Sequence, residues 1–225
     1  MNLGELVTEV LAVVDDARYT ESNVKTLVNE AVYVVASGRM YGRRFRLSPP
    51  LPNLYTSANV ETVAGEGVLP LPDNFNRDVI QVVNADHSSL PIMPSIRGFL
   101  KLNTDQAAGP VSKCAVQGNR LFYRDIPATP ETLTVHFYEN PTELAVDTDI
   151  PDCIPIQLHR PLIISYVCMQ IYNKLEMGMA GPKVDTLAYG AIFQEGLIQL
   201  QGLLPADGNP VYYETEAEAK ERLVN

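Results

Sequence analysis

From Ser48-Pro49-Pro50-Leu51-Pro52 to Ile150-Pro151 the prolines follow one another too closely for a long helix. Each proline removes a helix donor, and its ring collides with the preceding turn. On either side of this stretch apolar residues recur at helical spacing, so the order must be helices, short strands, then helices again. Within it, Val79-Ile80-Gln81-Val82-Val83, then Asp86-His87-Ser88-Ser89, then Leu90-Pro91-Ile92-Met93 reads as strand, turn and edge strand. Val111 to Val116, Gln117-Gly118-Asn119 and Leu121-Phe122-Tyr123 read as a hairpin. Leu133-Thr134-Val135-His136-Phe137-Tyr138 is a further strand, its branched and aromatic residues suiting a half-buried sheet. Successive strands with short turns predict an antiparallel sandwich or small barrel.

The N-terminal flank carries Leu3, Leu6, Val7, Val10, Leu11 and Val14 on one face, predicting an amphipathic helix over 3–17. A second helix starts after Thr20, whose hydroxyl can cap free amides, with Glu21 at the positive end of the dipole. It runs through Val24, Leu27, Val28, Ala31, Val32 and Val35, and Gly38 suits a left-handed stop. The short link predicts an antiparallel pair. After Ile150 helical spacing returns. A third helix begins between Pro155 and Pro161, where proline is tolerated, and runs to about Met177. Gly178 to Pro182 break it. The fourth has a stripe of Val184, Leu187, Ala188, Ala191, Ile192, Leu197, Ile198 and Leu200, and Pro205 ends it.

The predicted fold class is therefore α+β: a four-helix bundle built from residues 1–46 and 152–204, interrupted by an antiparallel β-sandwich or barrel-like insertion over 47–151. Neither helical pair alone can bury its stripes, which is the reason to join them. Residues 205–225 hold too little apolar surface for a core and read as an extended C-terminal arm. A chain of 225 residues hides about 70% of its unfolded surface, enough for a core without staples. No stretch reaches about 18 uninterrupted apolar residues and the start lacks a basic leader, so neither a membrane span nor ordinary secretion is expected.

Chemistry is sparse in the sequence. His87, His136 and His159 have no second ligand at metal spacing, and no catalytic, cofactor-binding or metal motif emerges. Cys114, Cys153 and Cys168 lie in or beside apolar runs without a CxxC pair and read as small buried hydrophobes. Ala64-Gly65-Glu66-Gly67-Val68 lacks the lysine and the strand-to-helix context of a phosphate loop and reads as a hairpin turn. Carboxylates at Asp15-Asp16, Asp147/Asp149 and Glu216/Glu218 read as caps or solvated faces. No enzyme is expected; a cell-wall glycan hydrolase is the rival class, because acid/base carboxylates meet only in space.

Charge narrows the partners. Subtracting 27 acidic from 17 basic side chains gives −10, which argues against reading DNA sequence but lets DNA pass without sticking. Against that background Arg39, Arg43, Arg44 and Arg46 fall within eight positions, with Tyr41 and Phe45 among them. They are either a solvated connector or a contact patch for an acidic partner or DNA phosphates.

One order of motifs is more specific. Leu69-Pro70-Leu71-Pro72-Asp73-Asn74-Phe75 precedes the Val79–Val83 strand. Gly109-Pro110, Gly118-Asn119-Arg120-Leu121 and the Pro127/Pro130 pair follow. Leu133 to Tyr138 then leads into Asn140-Pro141-Thr142-Glu143-Leu144, and Ile150-Pro151 precedes a long helix. Over about residues 3–204 this layout resembles the head-to-tail connector (adaptor) proteins of tailed bacteriophages. The resemblance implies a structural protein without cofactor, made in the host cytoplasm and residing in the virion at the head–tail junction. It implies a homo-oligomeric ring, twelve copies being the expectation, bound to the portal protein, extending the DNA channel and docking tail proteins. A tail-tube terminator or stopper ring is the alternative position. The resemblance also makes the arm a portal contact, with Val211, Tyr212, Tyr213 and Leu223 as anchors, and such an arm is expected to be disordered in free subunits.

Overall fold

The computed structural model describes residues 1–38, 48–101, 108–177 and 181–203. In chain order its elements are α1 (Leu3–Val14), α2 (Glu21–Ser37), β1 (Tyr55–Glu61), β2 (Val68–Pro70), β3 (Phe75–Val83), β4 (Ser89–Leu90) and β5 (Ile92–Met93). There follow α3 (Ile96–Lys101), β6 (Lys113–Gln117), β7 (Arg120–Arg124), β8 (Thr132–Glu139), α4 (Ser165–Leu175) and α5 (Val184–Leu203). The class is α+β. The described residues of 1–54 and 140–203 form one compact unit, and those of 55–139 another.

In the helical unit, α1 is closed at its start by a capping box. Asn2 Oδ1 accepts from the Glu5 amide at 2.9 Å, and the Glu5 carboxylate accepts from the Asn2 amide at 2.9 Å. It ends earlier than its apolar spacing predicts, because Asp15 turns left-handed (φ 44°). Asp16 then takes the Arg18 amide and guanidinium, whose hydrogen bonds hold its carboxyl down at about 2. α2 has the expected ends, with Thr20 Oγ1 accepting the Asn23 amide and Gly38 left-handed at φ 63°. Its predicted stripe is buried from Val24 through Val35.

The segment that returns from the β unit is stitched to both helices. The Asn29 side chain makes two bonds to Leu144, donating to its carbonyl at 3.0 Å and accepting from its amide at 2.8 Å. Lys25 pairs with Asp147 at 2.6 Å. The Leu3 and Gly4 amides, orphans of the first turn of α1, donate to the Asp149 and Asp147 carbonyls.

The third predicted helix does not start as a regular one. A 3₁₀ turn (Ile156–Leu158) passes into a π-helical turn (His159–Ile164) and only then into α4. Pro161 has no N–H to give the preceding turn, and the wider turn is closed by the Ser165 amide donating to the Arg160 carbonyl. At the far end, Glu176 caps α5: its carboxylate accepts from the Asp185 and Thr186 amides and from the Thr186 hydroxyl at 2.6 Å. The Thr186 hydroxyl bond is the main cause that lowers the Glu176 carboxyl below its ordinary value.

In the β unit, one sheet has the order β1-β8-β3-β4 and the other β2-β7-β6-β5. Both contribute to one apolar cluster, which includes Leu69, Val82, Cys114, Leu121, Leu133 and Phe137. The Gly118-Asn119 hairpin forms as expected, with Gly118 at φ 59° and Gln117 opposite Arg120. Four expectations need correction. Neither sheet closes into a barrel. Pairing is not wholly antiparallel, since β5 runs parallel to β6. The predicted edge strand Leu90 to Met93 is split at Pro91, leaving Leu90 at the edge of one sheet and Ile92 at the edge of the other. Proline cannot donate to a ladder, so the chain changes sheets there. Finally, the turn around Gly65 (φ 80°) joins strands of different sheets and is not a hairpin.

Candidate assembly surfaces

Several of the described groups that could carry chemistry are engaged in packing or hydrogen bonds. Cys114, Cys153 and Cys168 are buried, and burial pushes each thiol up to about 12, far from a reactive thiolate. His136 stacks on Tyr55 with the phenol 2.8 Å from Nδ1. His87 holds a positive-φ turn position beside Asn84, whose side chain accepts from the Asp86 and Ser88 amides. Of the paired carboxylates, Asp147 engages Lys25, and Asp149 accepts from the Ala145 and Val146 amides. Among the described residues, no group of three or more His, Cys, Asp and Glu is placed to hold a metal ion. No described helix is long and apolar enough to cross a membrane.

His159 is fully buried at the start of the π turn. Nε2 lies 3.0 Å from the Ile154 carbonyl, and Nδ1 has no hydrogen-bond partner among the described residues. Burial lowers its pKa below the ordinary 6.5, so folding favours the neutral ring. The unfolded chain protonates near 6.5, so stability is full above that pH and falls as pH drops below it toward the folded-state value. Urea midpoints at about pH 7.5 and about pH 5.5 should differ more for the native chain than for His159→Gln. Equal differences would remove His159 as the cause.

The predicted contact residues Arg39, Arg43, Arg44 and Arg46, and the arm residues Val211, Tyr212, Tyr213 and Leu223, lie outside the described residues. What the structure adds lies elsewhere on the helical unit. Only Leu197 and Leu200 of the stripe predicted for α5 are buried; Gly190, Phe193 and Gly196 complete the inward face. At Gly196 the helix rides directly on the π turn, where an added Cβ would lie 2.9 Å from Leu162 Cδ2 and 3.1 Å from Pro161 backbone carbon. The rest of that stripe faces outward, correcting its expected burial: exposure runs from 44% at Ile192 to 62% at Val184, with Leu187 and Ile198 between. A helix apolar all round is normally surrounded. Among the described residues this one is covered on one side.

A second surface lies between α1 and the turn at 156–160. It is an open groove of about 830 Å³ lined on one side by Gly4, Thr8 and Ala12 and on the other by Ile156, which is 65% exposed. Glu9 and Arg160 meet in it through a two-pronged ion pair at 2.9 and 3.2 Å. Sequence reading could not find this groove, because its walls stand about 150 positions apart. The outward face of α5 did have a signal: apolar residues around the whole circumference, more than one buried stripe needs.

A family model described as SU10 adaptor protein matches residues 1–212, spanning the helical segments, the whole β unit and the start of the predicted arm. This agrees with the resemblance to phage head-to-tail adaptors carried by the motif order. Comparison with curated proteins gives no match.

Proposed function

The chain belongs to the SU10 adaptor protein family, and on that premise we propose that it is a structural virion protein of the head–tail junction. Copies form a ring, twelve in number, that binds the portal, continues the DNA channel and offers tail proteins a platform. The helical unit supplies the bundle of each subunit and the β unit a sandwich-like second part. A closed ring requires two different complementary faces on each subunit, and the incompletely covered α5 supports that requirement. The family match along both units is the observation that carries the reading. No catalysis is involved. The excess of 27 acidic over 17 basic side chains suits a channel that DNA traverses without adhering.

In this reading Val211, Tyr212, Tyr213 and Leu223 anchor the arm on the portal, while Arg39, Arg43, Arg44 and Arg46 meet an acidic partner surface or DNA phosphates. The test is an electron-microscopy reconstruction of the full chain with portal rings, beside a chain ending before Pro205 and an Arg43→Glu, Arg44→Glu variant. Full-length protein should add a symmetric ring below the portal. The truncated chain should keep its circular-dichroism spectrum but bind the portal at least about tenfold more weakly. A full-length chain that stays monomeric and ignores the portal would defeat the proposal. Cross-links to tail subunits alone would move it to a terminator or stopper position, and clearing of peptidoglycan lost on one Asp or Glu substitution would make it a hydrolase.

A further inference from the structure

We propose that the open edge of β1 pairs, antiparallel and centred on Ala58, with β1 of a second copy of the chain. The edges of the two sheets are β1, β4, β2 and β5. β4 and β5 are two residues long, and β2 is three and ends in Pro70. Short strands and prolines are how sheets blunt an edge against another chain. β1 has no such protection: Tyr55–Glu61 is seven residues long, without proline, lysine or arginine, and in unbroken register with β8. Its unpaired side can be read residue by residue. The Thr62 amide donates to the Glu131 carbonyl at 2.9 Å, one step beyond the Glu61–Thr132 pair. Hydrogen-bonded pairs alternate along an antiparallel ladder, so Thr56, Ala58 and Val60 bond to β8. The amides and carbonyls of Tyr55, Ser57, Asn59 and Glu61 point the other way, and among the described residues none of them has a main-chain partner.

The edge matches itself. Turned antiparallel about Ala58, outward residues meet outward residues: Tyr55 faces Glu61 of the other copy, and Ser57 faces Asn59. Each such pair exchanges two main-chain bonds, about eight over the strand. The one charge of the strand, Glu61, then lies opposite a tyrosine and not opposite its own copy. Asn59 Oδ1 accepts from the Thr134 hydroxyl at 2.9 Å, which leaves its amide N–H groups for the facing Ser57. On the inner face Ala58 meets Ala58, and Val60 meets Thr56. Ala58 and Val60 pack against the apolar cluster yet stay only partly buried, and the added strand covers them. The segment 205–225 of the same chain is the rival occupant. Extending Val211-Tyr212-Tyr213 along β1 would bring Glu214 and Glu216 to an edge that holds Glu61 and no cation. In strand addition main-chain bonds supply the affinity, so a short ladder makes a weak pair. The contact is isologous and closes after two copies; it is separate from the heterologous ring contact and does not depend on the ring reading.

The test uses the full chain without portal, by sedimentation velocity at about 100 µM, where a weak contact is populated. Beside it, Ala58→Cys and Ser57→Cys variants are incubated with oxidised glutathione. Ala58 lies opposite itself in a non-hydrogen-bonded pair, where Cα atoms stand about 4.5 Å apart, within disulfide reach. Two Ser57 positions fall two residues out of step, farther apart than the limit of about 7 Å. Cys114, Cys153 and Cys168 are buried, their thiols pushed up to about 12, so the new thiol reports alone. The native chain should sediment as a two-copy species, and Ala58→Cys should cross-link at least about tenfold faster than Ser57→Cys. Ser57→Pro removes an outward donor that β8 does not use, so the circular-dichroism spectrum should stay native while pairing weakens at least about tenfold. If the native chain stays single, or the two cysteine variants cross-link at equal rates, the pairing is wrong. If Ala58→Cys cross-links only after residues 205–225 are removed, the arm is the occupant and the pairing is wrong as well.

Discussion

Gly196→Val should cut stability by about 3 kcal/mol, the upper end of what overpacking costs and enough to lower the urea midpoint clearly. The reason is local. Even a methyl at this position would sit 2.9 Å from Leu162 Cδ2, 3.1 Å from Pro161 Cβ and 3.1 Å from Pro161 backbone carbon. The leucine tip can rotate away, but Pro161 lies within the π turn, so its backbone gives way only by shifting that turn. Alanine gains up to about 1 kcal/mol of helix propensity, which offsets part of the strain, so Gly196→Ala should be milder. Valine recovers less of that propensity and adds two further methyls. Gly202 supplies the contrast on the same helix: nothing lies within 4 Å of its added Cβ. Gly202→Ala should therefore be neutral or stabilising by up to about 1 kcal/mol. Chemical denaturation of the three variants decides it; a Gly196→Val chain as stable as the native one would mean that α5 does not ride on the π turn.

The second large effect is expected at Leu27→Asp. Leu27 faces the interior of the helical unit within the stripe that α2 buries. Removing a buried leucine costs about 2–5 kcal/mol. Placing a carboxylate there without a partner adds several more, or forces it to stay protonated. The sum, on the order of 5 kcal/mol or above, is comparable to the whole stability of a typical domain. Loss of the cooperative far-ultraviolet unfolding transition is the expected readout. Thr26 stands next to it and is exposed; Thr26→Asp should change stability by no more than about 0.5 kcal/mol. If the two variants unfold at the same urea concentration, α2 does not pack as described.

Much of this was readable from local chemistry. The start of α2 at Thr20 and its stop at Gly38 follow from a capping hydroxyl and a residue free to turn left-handed, both properties of single residues. The Gly118-Asn119 hairpin is as local. β1 and β2 were missed because their sequences, Tyr55–Glu61 and Val68–Pro70, are polar or very short. What makes Tyr55–Glu61 a strand is its register against Thr132–Glu139, far along the chain. α3, only six residues from Ile96 to Lys101, carries too few turns to show a period.

The sequence alone determined where the four long helices fall, where prolines forbid long helices, which face of α2 is buried, and, through motif order, the family. These depend on residues a few positions apart, whose preferences act before any long-range contact exists. The tertiary structure alone decided that Leu90 and Ile92 belong to different sheets, that α5 shows solvent most of its predicted stripe, and that α1 and Ile156 wall a groove. Apolar periodicity says how much surface a helix can bury, not which neighbour covers it. That choice is made by packing, here by the close approach of Gly196 to Pro161, which turns Phe193 and Leu197 inward and leaves Val184, Leu187 and Ile198 facing out.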